Sequence, residues 1–165
     1  MSVDFTMPYY TSAEGILVNA KSTLAALTPS TPMGNLRVGV QQGSVYSGWA
    51  KDNLISTGLL PAANLLSFSR EEEVVQALKQ GQIDVAILDL LPAREYARQG
   101  GVKVIPSAGS PQQYAIALRK GSSLTPQLNA AMTALIQDGT LARLSQQYLG
   151  LDEHEITPPA PPQVV

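Results

Sequence analysis

Residues 69–89, SREEEVVQALKQGQIDVAILD, change period partway along, and that change sets the fold class. Val74, Val75 and Leu78 fall at helical spacing behind an acidic start, so the spacing predicts a helix running through Gln80. Ser69 followed three residues later by Glu72 has the form of a capping box at its start, and Gly81 ends it. Ile83–Leu88 (IDVAIL) is then a short β-branched apolar run of strand length. A helix of about ten residues leading straight into a buried strand is half of a βαβ unit.

The same alternation continues in both directions. Upstream, Leu36–Gln41 (LRVGVQ) reads as a buried strand ended by Gly43. Ser44 then opens a helix to about Thr57, with Trp49, Leu54 and Ile55 as buried positions, and Asn64–Phe68 is the next strand. Downstream, Pro92 suits the first turn of a helix that stops at Gly100-Gly101, and Val102–Ile105 is a further strand. The expectation is an α/β fold with a mainly parallel, doubly wound sheet. Gly15–Lys21 (GILVNAK) is also of strand length. Residues 22–35, with Pro29, Pro32 and Gly34, read as a surface loop around a short helical turn, and residues 1–12 as a turn-rich entry. Gln113–Arg119 (QYAIALR) is predicted as one strand. Two helices follow, with Leu128, Met132, Leu135 and Ile136 on one face of the first and Leu141, Leu144 and Tyr148 on one face of the second. Gly150 stops the second helix, and the acidic, then proline-rich tail from Leu151 reads as disordered.

Composition narrows the function classes. The 165 residues are 44% apolar and 15% charged, with net charge -2 and no basic cluster, which argues against nucleic acid and anionic membranes as partners. No cysteine is present, so disulfides and thiolate catalysis are excluded. The single histidine, His154, lies in the tail, so no Ser–His pair and no transition-metal set is expected, and nothing in the inventory implies a cofactor. No apolar run is long enough to span a bilayer. The N-terminal residues have no basic start and no apolar run, so they do not read as a signal peptide.

Two places stand out chemically. Gly43-Ser44, at a strand-to-helix junction, would present backbone N–H groups and the positive end of a helix dipole to an anion such as a carboxylate. The spacing is neither GxGxxG nor a P-loop. The plainer reading is that Ser44 caps its helix. Asp89 ends the strand IDVAIL on the sheet edge where ligands of open α/β sheets bind, and would accept an ammonium group; its plainer reading is also a cap. Together the two would suit a zwitterion. Asp84, an odd five positions earlier, faces the other way, so the two aspartates form no catalytic pair. Glu71, Glu72 and Glu73 read as dipole compensation in a first turn.

In order, VDFTMPYYTSAEGILV (3–18), LRVGVQQGSVYSGWAKDNL (36–54), EEEVVQALKQGQIDVAILD (71–89) and QQYAIALRKGSSLTPQLNAAMTALIQDGTLARLSQQYLG (112–150) resemble the type 2 periplasmic solute-binding proteins of polar amino-acid ABC importers, family 3. The resemblance implies a two-lobed fold. Residues 1–18 would be the hinge and a remnant of lobe 1, residues 19–112 a complete lobe 2, residues 113–150 the return strand and lobe 1 helices, and residues 151–165 the tail. The opening part of lobe 1, with an arginine that holds the ligand carboxylate, would precede VDFT and is absent from this sequence. The resemblance also implies a non-enzymatic protein, periplasmic or extracellular, with an amino-acid ligand clamped between lobes and an ABC permease as partner. Gly43 and Ser44 would meet the α-carboxylate and Asp89 the α-amino group, with Gln41, Gln42 and Tyr46 as neighbours of the ligand side chain. Val45 stands where the family often has a carboxylate-binding threonine. Three alternatives accompany this reading: a fold that has lost its ligand and has an interaction role, with a homo-oligomer covering the incomplete lobe; a receptor's sensor domain; and a dehydratase using Asp89.

Overall fold

The computed structural model describes residues 3–28, 31, 33–106 and 112–150. The tail with His154, the first two residues, Pro29 and Pro32 lie outside them. The chain divides into two compact units, Ala13–Ser110 and Met1–Ser12 with Pro111–Val165.

The first of these holds a five-stranded sheet in the order β5-β4-β6-β3-β7. Its strands are β3 (Glu14–Asn19), β4 (Val38–Gln41), β5 (Leu65–Phe68), β6 (Val85–Asp89) and β7 (Val102–Ile105). β4 pairs in parallel with both β5 and β6, and β3 pairs antiparallel with β6 and β7. The sheet is therefore parallel except for β3, whose central place follows from Ile16, Leu17 and Val18, all buried. β3 lies wholly within this unit, which starts at Ala13.

Strand alternation sends successive side chains to two cores. Ile16, Val18, Val38, Val40, Val85 and Ile87 pack with Tyr46, Ala50 and Leu54 on one face. Leu17, Ala86 and Leu88 pack with Val74, Val75, Leu78 and Ala93 on the other. The helix α1 (Val45–Ala50), prolonged by a wider turn over Lys51–Ile55, covers the first face. The predicted helix to Thr57 is thus present in two pieces. Helices α2 (Glu71–Lys79) and α3 (Leu90–Gln99) cover the second. Two glycines make this close packing possible. A Cβ on Gly39 would collide with Ile83, and one on Gly15 with Ala93.

The start of α2 differs from the capping box expected of Ser69 and Glu72. The helix begins at Glu71 behind Arg70, so the third helical residue is Glu73, whose carboxylate accepts from the N–H groups of Ser69 (3.1 Å) and Arg70 (3.3 Å). At the opposite edge of the sheet, Arg37 grips Asp84 through Nε (3.0 Å) and Nη2 (2.9 Å) and also reaches the Gly81 carbonyl (2.8 Å). The described part of residues 22–35 contains no helix; it holds an isolated bridge at Leu27 and a turn at Gly34 and Asn35, closed by the Leu36 N–H on the Met33 carbonyl (2.9 Å).

The second unit pairs β1 (Val3–Phe5) with β9 (Ala117–Arg119) and β2 (Tyr10–Ser12) with β8 (Gln112–Tyr114), both antiparallel. The single strand expected over Gln113–Arg119 is therefore two short ones. The break falls where Thr6 exchanges hydrogen bonds with Ile116, through its N–H to the Ile116 carbonyl and from the Ile116 N–H to its hydroxyl, both 3.0 Å. Tyr10 and Tyr114 rings lie 5.3 Å apart. Helices α4 (Leu124–Gln137) and α5 (Thr140–Leu149) complete the unit; Asn129 on α4 accepts from the Met7 N–H (2.8 Å). Met132 is buried, but Leu135, Leu144 and Tyr148 of the predicted apolar faces are 38%, 36% and 73% exposed.

Candidate functional site

The chain leaves β4 for α1 on one face of the sheet and leaves β6 for α3 on the other. β4 and β6 are hydrogen-bonded neighbours, with Val38 level with Val85 and Gly39 with Ala86. Their carboxyl ends therefore diverge to opposite faces and open a crevice at the topological switch point, the place where open α/β sheets bind ligands. The ladder between them ends at Gly39 and Ala86; beyond it Asp89 ends β6, and the Gln42-Gly43-Ser44 loop follows the end of β4. The Gln42-Gly43-Ser44 loop and Asp89 thus both lie at this switch point.

Gly43 has φ +73, which a side chain would strain, and it turns the chain into α1. Ser44 caps that helix: its Oγ accepts from the Ser47 N–H (3.2 Å) and donates to the Gln41 carbonyl (2.8 Å). The capping reading of Ser44 holds, and its one proton is committed to Gln41. Donors for an anion would then come from main-chain N–H groups of the first turn, which have no intrahelical acceptor; Val45 is the first such residue. Its side chain is 62% exposed. Gln42 is exposed, and its N–H donates to the Phe68 carbonyl (2.8 Å), while Gln41 is half-buried. Tyr46 packs its ring into the core with Val38 and Val40, away from the role of a side-chain neighbour.

Asp89 occupies the cap position of α3 with extended backbone, yet its side chain makes no capping hydrogen bond. Its plainer reading as a cap is therefore not what the carboxylate does. Asp84 sits at the far end of β6 against Arg37, whose hydrogen bond holds its carboxyl below the usual carboxylate range.

Sequence reasoning missed one neighbour. Glu71 opens α2 just beyond β5, on the same sheet edge, and its carboxyl is pushed up first by burial, then by the charges of Glu72 and Asp89. The Tyr96 hydroxyl on α3 donates to it and pulls the other way. The signal available was positional: the first residue of every helix that follows a parallel strand lies on this edge. Among the described residues, no three His, Cys, Asp or Glu side chains come together as a metal site.

A doubly wound lobe with this strand order and a switch-point crevice has the type 2 periplasmic-binding fold. Residues 1–151 match the family of bacterial extracellular solute-binding proteins, family 3, and the chain belongs to that family. It is 28% identical over 152 residues to the L-cystine-binding protein TcyJ of Escherichia coli (strain K12), a match covering 90% of this chain and 54% of that protein. An ancestral arginine-binding protein bound to arginine superposes with TM-score 0.73 at 30% identity, over 90% of this chain and 65% of the other. The ligand-binding core of GluR0 with L-glutamate gives TM-score 0.76 at 20% identity, over 90% and 64%. The chain spans about half the length of the curated relatives it matches.

Proposed function

We propose that this chain is the substrate-binding component of an ABC importer, working outside the cytoplasm and taking an amino acid. What supports the reading is that the Gly43-Ser44 turn and Asp89 come at the carboxyl ends of two neighbouring parallel strands whose helices go to opposite faces. An α-carboxylate would sit against the first-turn N–H groups near Val45, where the helix dipole favours negative charge. The α-ammonium would sit against Asp89. Gln41 and Gln42 are placed to meet the rest of the ligand, whereas Tyr46 supports the loop from within the core. The relatives named for cystine and arginine support an amino acid as the ligand class. A membrane permease is the partner this role requires.

A second reading is favoured by a different observation. Val45 contributes no hydroxyl, the Ser44 proton is engaged internally, and Phe5, Leu124 and Tyr148 are 61%, 52% and 73% exposed. In that reading the fold binds no ligand and serves an interaction, including self-association. Calorimetric titration with the twenty amino acids and cystine separates the two. Saturable heat from one amino acid class, lost in Asp89→Ala, supports the first reading; no heat from any, together with a dimer in solution, supports the second.

A further inference from the structure

We draw no further inference here: the strongest candidate, the Glu71, Asp89 and Tyr96 side-chain cluster at the C-terminal edge of the five-stranded sheet, belongs to the crevice already described, and no second observation there points to a ligand of its own.

Discussion

Ser44 closes the turn after β4 by using its hydroxyl twice, as acceptor for Ser47 and donor to Gln41. Ser44→Ala removes a cap and should cost about 1 kcal/mol of stability, read by denaturant unfolding. Because the proposed carboxylate donors are main-chain groups, the same variant should keep its ligand affinity within a few-fold, once folded. Glu71 gives a prediction of opposite sign. Its folded carboxyl titrates above its unfolded value, so ionisation is harder in the folded protein, and Glu71 weighs against stability as the pH rises through that window. Glu71→Gln should therefore raise the melting temperature relative to wild type more at pH 8 than at pH 4; an equal change at both would contradict this. Asp84 behaves in the reverse way. Its carboxyl is lowered mainly by the Arg37 hydrogen bond, so its contribution is present above the unfolded value near 3.9 and is lost as the pH falls through the folded one. The pair is partly exposed, so Asp84→Asn should cost only about 0.5–1 kcal/mol at pH 7 and nothing measurable once the pH is below both values. The glycine turn, the Ser44 cap and the place of Asp89 at the end of β6 were legible from residue type and position alone. Glu71 was not, because three consecutive acids in a first turn have a sufficient local explanation and their differing burial is a tertiary property.

At the scale of elements, legibility followed how much each segment's fate is decided locally. Helix α2 and strand β6 are bounded by an acidic start, a glycine and a β-branched run, and their bounds shift only slightly from the expected ones, to Glu71–Lys79 and Val85–Asp89. The direction of β3 is not encoded in GILVNA, which would suit a parallel or an antiparallel place equally; its partners Ile87 and Val104 decide. Likewise QYAIALR contains no turn residue, and the break between β8 and β9 is imposed by β2 and β1, more than 100 residues away in the chain. The end of α1 as a wider turn was illegible for the same reason, since KDNLI has ordinary helix-forming character. Gly39 sits where β4 passes closest to the second core, so Gly39→Ala forces a methyl group against Ile83. It should destabilise by about 1–3 kcal/mol in chemical denaturation, and an Ile83→Val change in the same chain should recover part of that.

The whole molecule presents one unit with two well-filled cores and another whose helices α4 and α5 keep much of their apolar surface exposed, with Met132 the only buried hydrophobic residue described there. Apolar surface left in water is unfavourable by roughly 25 cal/mol per Å². The second unit should accordingly exchange its α5 amides faster than the α2 and α3 amides, measured by hydrogen exchange, unless something covers it; equal protection would show that it is covered. Ligand binding at the switch point between β4 and β6 decides whether the protein binds an amino acid there. Wild type and Asp89→Ala are titrated calorimetrically with each amino acid and with cystine at pH 7. Wild type should bind one amino acid class saturably, and the variant should lose about 100-fold or more in affinity, as expected when one partner of a desolvated charge pair is removed. Equal affinity in the two proteins would contradict this, because a ligand indifferent to Asp89 is not held in this crevice.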